Sequence, residues 1–376
     1  MKTLFVGVYK DGTGWGNAAQ NYILALDAAG VDVIPRHLKI NNTETEVPER
    51  ILELEKKDIS NCNVVIQNLL PYHMEYNGNF DKNIGLYFTE TDSIVRSGWA
   101  EHINLMDEAW VANSQSENTS KSSGVTVPIT TLPVPVDTSI YETEYDNLYK
   151  QLPQLKDNFV FYFVGEVTRR KNLVALLKAF HLEFSPYENV HLLIKANLSG
   201  LSDDECSQRV QEMCETVKRE LKLYKNPNDY KQELILCQNL SQELMMVLHN
   251  TCDCFVMPSF GEGWCMPAFD AMAMGNTPIV NNIGGMREFI NDENGWLVKN
   301  TKEPVFGMGD TSFPKMFTGR ENWWSIDIID LMRCMREAYE NNEERKKKSD
   351  TGINNAYDFS LSKIGREMKD AIKNTS

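Results

Sequence analysis

The chain has little positive charge: 38 lysines and arginines stand against 53 aspartates and glutamates, a formal net charge of −15. That balance argues against nonspecific nucleic-acid binding, which draws on basic surface, and against the broad basic faces that hold proteins on anionic membranes. Two basic clusters remain, Arg169 to Lys171 and Arg345 to Lys348. The second lies in the polar run NNEERKKKS and reads as a solvated helix face. No apolar run approaches the eighteen or so residues that cross a bilayer. The start, MKTLFVGVY, reads as a first strand rather than a signal peptide. The eight cysteines lack zinc or redox spacing and read as reduced, cytoplasmic thiols. Solenoid repeats and low-complexity linkers are also missing. What is left is a chain of 376 residues, long enough for two domains.

The most informative stretch is VMPSFGEGWCMPAFDAMAMGNTPIVNNIGGMRE. A strand, Cys254 to Met257, ends in a Pro-Ser-Phe-Gly turn. Glu262 follows in the loop, a helix starts near Pro267, Asp270 lies one turn along it, and Gly275 stops it. Proline suits a first helical turn because its missing N–H has no partner there. The neighbouring amides point outward and attract phosphate. Two acids on a strand–loop–helix edge, with amides between them, suit a polyhydroxylated, phosphorylated ligand such as a sugar nucleotide. Taken alone, the edge is also compatible with an ordinary βαβ turn carrying solvated carboxylates.

About ninety residues upstream, FVFYFVGEVTRRKNLVALLKAF reads as a strand, a turn at Gly165, a basic cluster and a helix with apolar spacing. Arg170 and Lys171 fall where strand passes to helix, and a diphosphate needs positive charge there. In the amino-terminal half, KTLFVGVY runs into a glycine turn containing Gly14, Trp15 and Gly16, with a helix continuing through Leu26. A nicotinamide fingerprint is not met, because the third glycine comes one residue early. NVVIQNLLPYHM and NIGLYFTETDSI read as further strands, placing His73 and Glu90 in the loops that follow.

These blocks resemble glycosyltransferase family 4. The family pattern is Pro-Ser, Glu-Gly-aromatic-Gly-Leu-Pro, then Glu-Ala-Met-Ala-x-Gly, with seven residues between its two glutamates. The chain has Pro258-Ser259, Glu262-Gly263-Trp264-Cys265-Met266-Pro267 and Asp270-Ala271-Met272-Ala273-Met274-Gly275. It departs at Asp270, one methylene short of Glu, and at Cys265, where the family has Gly. The upstream block matches the family's Gly-Arg…Lys with Lys171, but Glu166 replaces the Arg, and Arg169 or Arg170 is left to supply that charge. DEAWVANSQS, with Ser114, and Pro135-Val136-Asp137 are similar to the close of the family's first domain and its interdomain passage.

The resemblance implies an α/β, GT-B fold: two Rossmann-like domains facing a central cleft. Residues 1–140 would form the acceptor domain and 155–345 the nucleotide-sugar donor domain, with a helix in 346–376 crossing back. It implies transfer of a sugar from a UDP- or GDP-sugar to an acceptor hydroxyl, with retention, in glycan or polysaccharide synthesis. Glu262 would hold the donor sugar, Lys171 and Arg170 the diphosphate, and Asp270 the ribose. The backbone of Gly263, Trp264, Cys265 and Met266 would meet sugar and diphosphate. Gly14, Trp15, Gly16 and Lys195 would approach phosphate, and Asn239 and Leu240 the base. His73 and Glu90 are acceptor or sugar candidates. No metal or cofactor is expected, the nucleotide-sugar being substrate. The partners are that donor and a glycan or small-molecule acceptor; peripheral membrane contact and oligomeric state stay open. The alternative is a non-catalytic sugar-nucleotide or glycan-binding protein, motivated by Glu166 and Asp270.

Overall fold

The computed structural model describes residues 2–39, 45, 47–309 and 315–374. Its contacts divide the chain into two compact units: Met1–Ile140, Pro304–Asn322 and Tyr357–Ser376 form the first, Tyr141–Glu303 and Trp323–Ala356 the second. Residues 304–322, inside the span that the sequence reading gave to the second domain, thus belong by contact to the first.

The first unit runs β1 (Lys2–Gly7), α1 (Gly14–Ala28), β2 (Asp32–His37), α2 (Glu49–Glu55), β3 (Val64–Asn68), β4 (Lys82–Tyr87), α3 (Trp99–Ile103), β5 (Glu108–Val111), α4 (Ser114–Ser122) and β6 (Ile129–Thr131). The strands form one parallel sheet in the order β2-β1-β3-β4-β5-β6. Every residue of β3 and β4 is buried, as expected for central parallel strands covered on both faces. Within that interior Lys82 is paired with Glu108 at 2.5 Å, so neither charge is buried alone. Helix α1 buries Ala18, Ala19, Tyr22, Ile23 and Leu26, spaced to form one face.

The second unit runs β7 (Phe159–Glu166), α5 (Leu173–Glu183), β8 (Val190–Asn197), α6 (Asp203–Leu221), β9 (Leu234–Leu236), α7 (Gln242–Thr251), β10 (Cys254–Met257), α8 (Met266–Ala273), β11 (Ile279–Asn281) and β12 (Trp296–Val298). Its parallel sheet has the order β12-β11-β10-β7-β8-β9. Numbered from β7, this is the doubly wound 3-2-1-4-5-6 arrangement of Rossmann folds. A two-stranded sheet of β13 (Asn300–Pro304) and β14 (Asn322–Ile326) follows, then α9 (Ile328–Glu340) and α10 (Asn342–Ala356). The last helix, α11 (Leu361–Lys373), lies on α1 so closely that a Cβ on Gly365 would sit 2.0 Å from the Ala25 carbonyl. Lys369 Nζ donates to Ala29 O at 2.6 Å and fastens the same contact.

In a doubly wound sheet, the loops at the carboxyl edge part where the strand order reverses, leaving a crevice for ligand. The reversal falls between β1 and β3 in the first unit and between β7 and β10 in the second. The loops of interest are therefore 8–13 and 69–73 in one, and 167–172 and 258–265 in the other.

Candidate functional site

In the second unit the two switch-point loops are locked together. Phe260 N donates to Arg170 O at 2.8 Å, and Asn172 Nδ2 donates to Pro258 O at 3.2 Å. Asn172 takes the left-handed conformation (φ 54°) to start α5, which asparagine tolerates better than most residues. This turn brings Arg170 and Lys171 onto one carboxylate oxygen of Glu262, at 3.0 and 2.8 Å. Arg170 also donates to Gly261 O at 2.6 Å. Glu262 is 4% exposed. Burial pushes its carboxyl up, but Lys171 and Arg170 outweigh burial and hold it below the usual range. Two cations on one anion leave the cluster with one positive charge, available to a diphosphate.

A second glycine turn backs this loop. Gly284 (φ 54°) and Gly285 lie against the backbone of residues 262–264: added Cβ atoms would fall 2.1 Å from Glu262 O and 2.3 Å from Gly263 O. Gly285 N donates to Glu262 O at 3.1 Å, fixing the peptide that carries the acid. Only residues without a side chain permit that approach.

Cys265 is the residue before α8 and has φ 76°, ψ 71°, a conformation that favours glycine. Its side chain is buried, and burial raises its thiol to about 12, so it is a packing group rather than a nucleophile at neutral pH. Among the described residues the amides of Cys265 and Met266 have no hydrogen-bond partner. They lie at the positive end of α8, where an anion is stabilised.

Asp270 lies one turn into α8 and is held from another direction: Tyr141 Oη donates to its Oδ1 at 2.6 Å. Burial raises the Asp270 carboxyl to about 6, with the Tyr141 hydrogen bond pulling it back. The sequence reading did not identify Tyr141, although it follows the proline-rich passage by only four residues. Below Asp270, Asn276 Nδ2 donates to Tyr162 Oη at 2.7 Å and to His249 O at 2.8 Å, tying the end of α8 to β7 and α7.

The remaining candidates of this unit are more scattered. Glu166 turns to the loop after β8 and accepts from Ser199 N and Oγ at 3.2 and 2.7 Å. Arg169 lies over the Phe260 ring, 5.1 Å from its centroid. Lys195, near the end of β8, is buried, and desolvation lowers its ammonium from the usual value. It has no ion-pair partner among the described residues. Asn239 is exposed and Leu240 half-buried in the loop between β9 and α7.

In the first unit the glycine turn is not a loop before a helix, as the sequence suggested. Gly14, Trp15 and Gly16 form the first turn of α1, capped by Thr13 Oγ1, which accepts from Gly16 N at 3.1 Å. A threonine cap completes a helix start that the glycines alone would weaken. Gly16 is packed, with a Cβ only 2.3 Å from Asp11 Oδ1, whereas a Cβ on Gly14 meets nothing within 4 Å. Trp15 Nε1 donates to Asn68 Oδ1 at 2.9 Å, and its ring stands edge-on to Phe88 at 5.4 Å. His73 is exposed on a single 3-10 turn after β3, its ring against Tyr72, and Glu90 is half-buried after β4. Trp15, His73 and Glu90 thus stand beyond the carboxyl ends of three adjacent strands, β1, β3 and β4. Asp92, the other acid of that loop, is bonded to Asn322 through N at 2.7 Å and Nδ2 at 3.0 Å.

Two doubly wound, Rossmann-like units of parallel strands and helices define the GT-B class of fold. Residues 145–305 match the family model described as "Glycosyl transferases group 1". The chain is 24% identical over 246 residues to an uncharacterised glycosyltransferase of Methanocaldococcus jannaschii, covering 62% of this chain and 53% of that one. It is 28% identical over 148 residues to the lipopolysaccharide 1,2-N-acetylglucosaminetransferase of Salmonella typhimurium, covering 39% and 36%. The matches thus span about half or less of these curated relatives. Among solved structures, sucrose-phosphate synthase from Thermosynechococcus elongatus superposes with a TM-score of 0.69 at 15% identity, covering 99% of this chain and 98% of that one. Anabaena HepE in complex with UDP and glucose superposes with a TM-score of 0.70 at 12% identity, covering 100% of both chains. These likenesses establish the fold. No helix among the described residues is long and apolar enough to cross a membrane.

Proposed function

We propose that the chain is a glycosyltransferase that moves a sugar from a nucleotide-sugar donor to an acceptor hydroxyl in glycan or polysaccharide synthesis. The observation that carries this reading is the meeting of Arg170, Lys171 and Glu262 at a switch point, beside the amides that start α8. The relatives named as glycosyltransferases support it, as does the match of UDP-bound HepE to the whole chain.

In this reading the donor diphosphate lies against Lys171, Arg170 and the amides of Cys265 and Met266. Glu262 is released from part of its ion pair to accept a sugar hydroxyl, and Asp270 meets the ribose. The bond between the anomeric carbon and the diphosphate oxygen breaks, and the nucleoside diphosphate leaves with the electron pair. The cations stabilise the charge as it develops, in a site that is already ordered. The acceptor oxygen bonds to the anomeric carbon, and the departing phosphate takes its proton. Retention of configuration follows from the resemblance to family 4. In this reading the transfer is of hexose type and needs no metal, because the cations and amides balance the diphosphate.

The test is a set of thermal melts with UDP, GDP, ADP, dTDP and CMP and their sugar conjugates. A ligand at a hundred times its Kd stabilises the folded protein by about 2.7 kcal/mol. That corresponds to a rise of roughly 5–10 °C for a domain of this size. One base standing out supports the donor site; no shift with any of them removes the reading. A second reading, donor binding without turnover, is favoured by Glu166 and Asp270, each engaged with a neighbour (Ser199 and Tyr141). Binding with no transfer to any acceptor and no release of free sugar would select it.

A further inference from the structure

The first unit contains a basic hollow that the donor site does not use. It is open, has a volume of about 610 Å³, and is lined by Arg96, Lys315, Thr318, Gly319 and Arg320. Arg96 belongs to the loop after β4, the strand end that carries Glu90. Lys315 and Arg320 come from the 304–322 excursion that leaves the second unit and folds onto the first. Three cations gathered from two distant segments stand out in a chain of net charge −15.

The excursion is held in place by several contacts. Asp92 N donates to Asn322 O at 3.0 Å, while the Asp92 carboxylate takes Asn322 N and Nδ2. Glu321 O accepts from Val305 N at 2.9 Å and closes the base of the loop. Met316 packs against the buried cluster formed by Tyr87, Ile94, Trp99 and their neighbours. The Glu321 carboxylate, 3% exposed, accepts from Thr318 N at 2.7 Å and Oγ1 at 2.6 Å, turning the chain. Asp92 and Glu321 are thereby both bonded to residues of the excursion. Among the described residues, Arg96, Lys315 and Arg320 have no ion-pair or hydrogen-bond partner for their charged ends.

We propose that Arg96, Lys315 and Arg320 form a binding site for a phosphate or diphosphate group carried by the acceptor. Describing the ligand as acceptor rests on the proposed function; the anion site rests on its own geometry. Two guanidinium forks and an ammonium exceed what a single carboxylate can satisfy, and they match the several oxygens of a phosphate. Two exposed apolar side chains adjoin these segments along the chain: Val95 precedes Arg96 and is 61% exposed, and Phe306 follows Val305, which pairs with Glu321, and is 78% exposed. A phosphate attached to a lipid would cover them, and a soluble sugar phosphate would leave them bare.

The test compares three proteins: wild type, the triple variant Arg96→Gln/Lys315→Gln/Arg320→Gln, and Lys171→Ala. Each is titrated calorimetrically with inorganic pyrophosphate and with glucose 6-phosphate. Each is also sedimented with phosphatidylcholine vesicles, with and without phosphatidic acid. The triple variant is expected to weaken phosphate binding by about tenfold or more, as loss of charge-assisted bonds should, while its nucleotide binding is unchanged. Lys171→Ala should lose nucleotide and keep the phosphate site. Binding of glucose 6-phosphate alone identifies a soluble ligand, and binding of phosphatidic acid vesicles identifies a lipid-borne one; either supports the site. Equal binding of every probe by wild type and triple variant overturns it. If no nucleotide binds but the triple variant still loses pyrophosphate, the donor reading fails and the anion site stands. An intact nucleotide response in the triple variant also shows that it is folded.

Discussion

The two sheets share one construction plan but differ at their carboxyl edges. The second unit's edge is charged and interlocked: Arg170 and Lys171 converge on Glu262, and the backbone of residues 262–264 lies against Gly284 and Gly285. The first unit's edge shows an aromatic contact near its switch point, with Trp15 bonded to Asn68 and standing against Phe88. Under the proposed function the second unit's edge suits a nucleotide-sugar donor. A diphosphate and a ribose present phosphate oxygens and hydroxyls, which cations, amides and acids hold.

The largest effect expected is at the charged edge. Lys171→Ala and Glu262→Ala should each lower kcat/KM by about 10²–10³-fold, the usual scale for removing one preorganised charge contact. Circular dichroism should show both variants folded. Near-wild-type transfer in either would erase the contrast between the edges.

The glycines sharpen the contrast next. Gly285→Ala forces a Cβ to within 2.3 Å of Gly263 O, against backbone that cannot yield cheaply. A loss of about 1–3 kcal/mol in urea unfolding is expected, the scale of overpacking. Gly14→Ala meets open space and has no positive φ, so stability should hold or rise by a few tenths of a kcal/mol. Loss of donor affinity in stable Gly14→Ala would support close approach of ligand there.

The two acids of the second unit should respond to pH in opposite directions. Glu262 titrates below its unfolded value, so the stability it contributes is lost as pH falls through that lowered value. Asp270 titrates near 6, above an unfolded value of about 4, so its favourable contribution at low pH is lost as pH rises from about 4 to 6. Asp270→Asn should therefore gain stability over wild type as pH is raised through that window and show no gain at pH 4. A constant difference across urea titrations at pH 4, 5 and 7 would contradict this. Tyr141→Phe removes the bond that lowers the Asp270 value, so the window should move upward. The smallest effect is at His73: exposed on its turn, His73→Ala should change stability by less than about 0.5 kcal/mol.

Much of the second unit was legible in the sequence because its chemistry is local. The strand at Cys254–Met257, the helix beginning beside Pro267 and the glycine stop all follow from short-range signals, and Lys171 and Glu262 each sit in a recognisable turn. Contacts between distant segments were not legible. Tyr141 reaches Asp270 across 129 positions, and the fold alone brings them together. The return of residues 304–322 to the first unit is likewise set by tertiary packing, through Met316 and the Asp92–Asn322 bonds. The start of α1 was misplaced because glycines argue against helix, whereas the Thr13 cap decides the outcome. At Cys265 a residue with a side chain keeps the left-handed turn that glycine would favour. That shape is fixed by the buried loop around it.

The most direct test of the account is calorimetric titration of the nucleoside diphosphate selected by the thermal melts into wild type and Lys171→Ala. The account predicts saturable one-to-one binding to wild type and an affinity at least about tenfold weaker in the variant, as expected for losing a charge-assisted phosphate contact. Equal affinity in the two proteins would contradict it, because the cation that meets Glu262 at the switch point would then take no part in holding the nucleotide.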